Sequence, residues 1–257
     1  MSSGGFLHKE SLSLILKNNF QVLILSILLL LPIFNFYIFY KIFIKKVKMN
    51  EHYEDFHLAT LVSILTLVLY FFFIPNENLS NVLLVVVSCL SNSGINMYSS
   101  DYDLSLLLLV VTMIGGSAVS TSSGIKYVRL YILTKISYLE IYKLAKPLNV
   151  FNRNLVSSNK IIDNEDLRIS FFVFISFIFG IFLLSSILSF DNINFESSFK
   201  LSILTLTNTV SSNMFGIMDL NFYDLNTISK STLMVFMIVG KIELIAILFL
   251  IKIFFLR

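Results

Sequence analysis

Residues 169–190 read ISFFVFISFIFGIFLLSSILSF, 22 positions without a charged side chain. A helix needs about 20 mainly apolar residues to cross the hydrocarbon core of a bilayer. Residues 20–44, 58–74, 104–133 and 228–256 are further long apolar stretches, the second being the shortest. Soluble domains are roughly half apolar and a quarter charged. This 257-residue chain is 56% hydrophobic and 14% charged, with a mean hydropathy of +0.83. A soluble core of this length cannot bury so much Phe, Leu and Ile, so the sequence points to an all-α integral membrane protein.

Two further apolar runs are about half a span: NVLLVVVSCL at 81–90 and FKLSILTL at 199–206. Runs of that size are re-entrant or buried helices rather than spans. Each is followed by a short polar stretch, SNSGIN at 91–96 and TNTVSSN at 207–213. The chain therefore repeats one unit: span, half-helix, polar strand, span. It does so over residues 58–133 and again over 169–256. SSGGF at 2–6, followed by the apolar stretch 20–44, reads as the tail of a further unit. Repeats of this kind share a pore or binding site at their interface.

Charge placement sets an orientation. Lys41, Lys45, Lys46 and Lys48 cluster after the first span, and eight Lys and Arg residues fill 126–168. Residues 75–103 carry none, and 191–230 carry only Lys200 and Lys230. The positive-inside rule puts the basic loops in the cytoplasm and both polar strands outside. Asp101, Asp103, Asp191, Glu196, Asp219 and Asp224 then gather near the outer mouth, a balance that concentrates cations. Each of these acids taken singly reads as a solvated loop residue.

Catalytic patterns are absent. Cys89 is alone, His8, His52 and His57 have no ligand spacing, and no phosphate loop, nucleophile elbow or zinc motif occurs. The expectation is not an enzyme, with no organic cofactor and no nucleic-acid partner. The first residues, MSSGGFLHKE, lack the pattern of a signal peptide.

GGSAVSTSSGIK at 115–126 interrupts the third apolar stretch. Its small residues suit either a helix-packing seam or an irregular loop lining a wet cavity. A half-helix followed by a small-residue strand can offer backbone carbonyls to a dehydrated cation, with the negative end of the helix dipole turned toward it.

MIGGSAVSTSSGIKYVRLYIL at 113–133 resembles the Trk/Ktr/HKT potassium-transporter superfamily, above all its TrkH-type membrane subunits. It shares Met113, Gly115, Gly116, Ser120, Thr121, Gly124, Ile125, Lys126 and Arg129 with the family pattern, and departs at Val119 and Ser123, where Gly is usual. MVFMIVGKIELIAILFL at 234–250 resembles the family's last helix, keeping Gly240 and Glu243 with Lys241 at the usual Arg. The stretch 146–174 resembles the connector before the fourth repeat.

The resemblance implies a potassium-channel-like pore of four repeats, of which this chain holds about two and a half. Residues 1–50 would end the second repeat, 51–146 form the third with a broken gate helix, 147–168 the cytoplasmic connector and 169–257 the fourth. Potassium would bind backbone carbonyls of Ser3, Gly4 and Gly5, of Asn92, Ser93 and Gly94, and of Thr209, Val210 and Ser211, where Ser211 departs from Gly. Gly115, Gly116, Ser117, Ser120, Thr121, Ser122, Ser123 and Gly124 would form the intramembrane gate loop, with Val119 and Ser123 stiffening it. Lys241 and Lys126 would supply the pore charge.

The implied function is potassium or other monovalent-cation transport in a bacterial inner membrane, as the translocating subunit of an uptake system. The partners implied are the lipid bilayer, a second copy as a homodimer, and a cytoplasmic nucleotide-binding regulatory subunit. The missing N-terminal half, as a separate chain, would be needed if this is a split-gene or truncated product. The alternative is a non-transporting remnant or assembly partner.

Overall fold

The computed structural model describes residues 16, 18–37, 53–75, 77–95, 104–146, 162–191, 193–209, 213–217 and 225–241. The elements in chain order are α1 (Asn19–Leu30), α2 (Tyr53–Val68), α3 (Leu79–Leu90), α4 (Ser105–Met113), α5 (Tyr127–Ala145), α6 (Asn164–Ser189), α7 (Phe195–Thr207) and α8 (Thr227–Lys241). A π-helical turn, Leu69–Phe73, prolongs α2, and a 3-10 turn, Asn213–Phe215, follows α7. Among the described residues the regular secondary structure is all helical, apart from one isolated parallel bridge, Ile114 to Ile125.

Among the described residues, two helical segments are long and apolar enough to cross a membrane, Glu54–Phe73 with 20 residues and Asn164–Ser189 with 26. At 1.5 Å per residue they reach about 30 and 39 Å, against a hydrocarbon core of about 30 Å. Pro75 stops the first, because a residue before proline is driven out of the helical region. Ile74 accordingly has φ −135° and ψ 59°. Glu165 and Asp166 lie in the first turn of α6, where carboxylates complement the helix dipole. The outer face of α6 is a stripe of exposed Phe171, Phe172, Ile175, Phe179 and Phe182. In water such a face would drive association; against lipid tails it is satisfied.

The half-helices sit inside. Residues 84–90 of α3 are all buried, as are 200–207 of α7. At 12 and 13 residues they are about 18 and 20 Å long, too short to cross the core. α1 packs on α3, α6 and α8 pack on α7, and α4 touches both half-helices. The observed limits extend the sequence expectation of 81–90 and 199–206 by two and four residues at the N-terminal ends. Ser80, Glu196 and Ser198 are polar, so hydropathy alone drops them.

Two apolar stretches are less continuous than their composition suggests. The first breaks into a turn over residues 31–35. Pro32 has no N–H to donate and its ring crowds the preceding turn. The third is helical only to Met113, irregular to Lys126, and then helical through Ala145, twelve residues beyond the apolar limit.

Candidate functional site

α3 and α7 end in the same way. Asn92 and Asn208 take left-handed conformations, φ 58° and 53°. In the residue after each of these asparagines, Ser93 N donates to Ser88 O at 3.0 Å and Thr209 N to Leu204 O at 2.9 Å. Asn is one of the few residues that enters this region readily at a helix C-cap. Gly94 follows Asn92 at φ 66°. Thus both helices stop abruptly and leave their carbonyl ends, the negative poles of their dipoles, directed at the segments that follow.

Asn92 joins these two ends. Fully buried, it donates through Nδ2 to Thr112 O at 3.0 Å and to Thr209 Oγ1 at 3.3 Å. Thr209 Oγ1 also lies 2.9 Å from Thr207 Oγ1. The amide orientation follows from chemistry, since only the NH₂ group can donate to a carbonyl. One side chain therefore ties the end of α3 to the end of α7, 117 residues on, and to the last turn of α4. The expected positions Asn92, Ser93, Gly94 and Thr209 are brought together here. Ser3, Gly4, Gly5, Val210 and Ser211 lie outside the described residues.

The segment between α4 and α5 is held by directed bonds. Gly115 N donates to Ile125 O at 2.8 Å and Ile125 N to Met113 O at 3.0 Å, closing the loop at its neck. Gly116 N donates to Ser122 Oγ at 2.7 Å, which lies 3.0 Å from Ser120 Oγ. Gly116 must be Gly, because a Cβ there would fall 2.3 Å from Ile33 O. Gly124, at φ 83°, meets Met113 O at 2.9 Å in the same test. Ser117 and Ser123 are buried and their hydroxyls have no hydrogen-bond partner among the described residues. Val119 is exposed. Neither Val119 nor Ser123 has a positive φ, so they incur no backbone strain by replacing Gly.

The break in α1 is the loop's docking point, and the sequence reading had not assigned it. Ser117 N donates to Ile33 O at 3.0 Å, Thr121 N to Pro32 O at 3.2 Å, and Phe36 N to Val119 O at 3.1 Å. A continuous helix would have used Pro32 O and Ile33 O internally; the turn at Pro32 frees them. Asp55 of α2 braces the same turn by accepting from Asn35 N at 2.9 Å. The signal was Pro32 itself, placed inside an apolar span.

Two lysines reach the loop. Lys126 is buried and donates to Ser120 O, Ser120 Oγ and Ser122 O at 2.9, 3.0 and 2.9 Å. Lys241, the last residue of α8, donates to Thr121 O at 3.1 Å. Within α7, Lys200 pairs with Glu196 at 2.6 Å. Asp191, after α6, accepts from Asn226 N at 3.3 Å and from Asn226 Nδ2. Hydrogen bonds from Ser229 and then Asn226 hold its carboxyl below the ordinary value. Asp101, Asp103, Asp219, Asp224 and Glu243 lie outside the described residues. No group of three or more metal-ligating side chains occurs among the described residues.

Buried half-helices with joined carbonyl ends, a broken helix beside them and lipid-suited outer faces define an all-helical protein of membrane character. The chain is 29% identical over 197 residues to the Trk system potassium uptake protein TrkH of Salmonella typhimurium and to that of Escherichia coli K12. These alignments cover 74% of this chain and 40% of each relative. It matches the crystal structure of the potassium transporter TrkH from Vibrio parahaemolyticus with a TM-score of 0.85 at 24% identity. That match covers 99% of this chain and 57% of that one. No family model matches. Sequence and fold thus relate the chain to TrkH-type members of the Trk/Ktr/HKT superfamily, in their C-terminal part. It spans about two fifths of the length of the curated relatives it matches.

Proposed function

We propose that this chain translocates potassium, or monovalent cations more broadly, as the pore-forming part of a TrkH-like uptake system in a bacterial inner membrane. The observation that carries this reading is the joint at Asn92. Two short, buried half-helices present their negative ends at one place, tied by Asn92 and Thr209, beside an irregular loop fixed at its neck. Helix C-termini offer carbonyl oxygens to a cation and carry a partial negative charge that disfavours an anion. In this reading the carbonyls at 92–94 and 209–211, with those at 3–5, belong to the filter. The 114–126 segment lies beneath it as a gate, and Lys241 sets a positive barrier at the gate's edge.

The chain works with further repeats that complete the ring of half-helices, because two such ends enclose only part of an axis. A second copy and a cytoplasmic nucleotide-binding regulatory subunit are the expected additional partners, with the basic loops cytoplasmic and the filter strands outside. The test is growth at low external potassium of a bacterium lacking its own uptake systems. Rescue by this chain together with the complementary repeats supports the reading. Failure of that combination, with both parts confirmed in the membrane, overturns it.

A further inference from the structure

Three consecutive backbone carbonyls of the loop, those of Ser120, Thr121 and Ser122, each accept from a lysine ammonium. Lys241 takes the middle one from outside the loop. Lys126 takes the outer two and the Ser120 hydroxyl from within it. Lys126 is 8% exposed and Ser122 3%. Lys126 also directly precedes the first turn of α5, where the helix dipole disfavours a cation. Oxygen contacts from the loop, rather than the helix, hold the charge there. Two carbonyls and a hydroxyl around one positive centre are the ligands a protein offers a dehydrated monovalent cation.

We propose that Ser120 and Ser122 form a monovalent-cation nest whose resident occupant is the Lys126 ammonium, and that this tethered cation keeps the 114–126 segment folded in. The tether of four to six residues makes occupancy intramolecular, so bulk cations do not compete effectively. Without the ammonium, Ser120 O and Ser122 O lose their shared donor and the Ser120–Ser122 hydroxyl pair loses its anchor. The loop would then be held by its bonds to Pro32, Ile33 and Phe36, its neck, the Gly116–Ser122 bond and the contact from Lys241. This deepens the reading of the loop as a gate, and rests on that reading only for the word gate.

Ser123→Cys supplies the reporter. Ser123 is 3% exposed and its hydroxyl has no partner among the described residues, so a thiol replaces it without breaking a described bond. Native Cys89 is fully buried, and the parent chain gives the background. In membranes carrying the full chain, a membrane-impermeant maleimide should label Ser123→Cys slowly. Adding Lys126→Ala should raise the rate about tenfold or more, since buried charge-assisted bonds are lost and local opening becomes easier. Propylammonium, which restores the missing atoms, should lower the rate again; tetramethylammonium, with the charge but no N–H, should not. Lys126→Met, which keeps the stem but not the donors, reports the raised rate alone if the alanine variant does not accumulate; the propylammonium arm applies only to the alanine variant. Unchanged labelling in the variants overturns the proposal. So does a raised rate that propylammonium fails to lower or that tetramethylammonium lowers equally. Labelling needs no ion flux, so a chain that fails to transport but shows this pattern overturns the transport reading and keeps the nest.

Discussion

Gly240 of α8 lies against the carbonyl oxygen of Leu206 in the last turn of α7: a Cβ built at Gly240 would fall 2.0 Å from it. Asn208 Nδ2 donates to Met237 O at 2.9 Å on the same face. This close approach seats α8 on the half-helix and sets Lys241 beside the loop. Gly240→Ala should therefore destabilise the fold by about 1–3 kcal/mol, the usual cost of forced overpacking, read as a lower melting temperature in detergent. Gly180→Ala in α6 is the control. Its Cβ would meet Leu206 Cδ1 at 3.5 Å, an ordinary contact, so it should be neutral or slightly stabilising.

Lys241 makes a single described bond to the loop, and it is a more exposed residue than Lys126. Lys241→Met should leave the fold intact and raise cation flux a few-fold, because a positive barrier and one loop contact are lost together. Lys241→Arg should retain low flux. Flux unchanged in the methionine variant would mean that the ammonium merely reaches for the membrane surface.

Asn92→Gly keeps access to the left-handed backbone and removes both amide bonds. It should cost about 1–3 kcal/mol, the range for losing a buried hydrogen-bonding pair. Asn92→Ala should cost more, because Ala also resists φ 58°. Combined with Thr209→Val, Asn92→Gly should show non-additive losses, since the two sites share a bond. Strict additivity in thermal unfolding would remove the proposed joint.

Asp191 links the end of α6 to the start of α8. Its folded carboxyl titrates below the ordinary aspartate value of 3.8. The stability it contributes is therefore fully present above that value and is lost as pH falls through the lowered one. Asp191→Asn should lower neutral stability toward that of the acid form and so flatten the acid limb of stability against pH below about 4. An acid limb identical to that of the parent chain would show that the α6–α8 link contributes nothing.

The membrane character and the half-helices were legible because both are read from local apolar length, and α3 and α7 fall within four residues of the expected limits. The interruption at 115–126 was legible because Gly, Ser and Thr cannot extend an apolar helix at that density. The partners of the loop were not legible. Pro32, Ile33 and Thr121 meet across some 90 residues, and Lys126 turns back on Ser120 through a geometry that composition does not encode. Val119 and Ser123 take ordinary backbone conformations, so they sit without strain where the resemblance has Gly.

The most direct measurement is rubidium uptake into proteoliposomes holding this chain with the repeats that complete the ring. The account expects saturable rubidium flux that potassium competes away and that Lys241→Met increases. Assembled, stable protein that passes no rubidium in either form would contradict it.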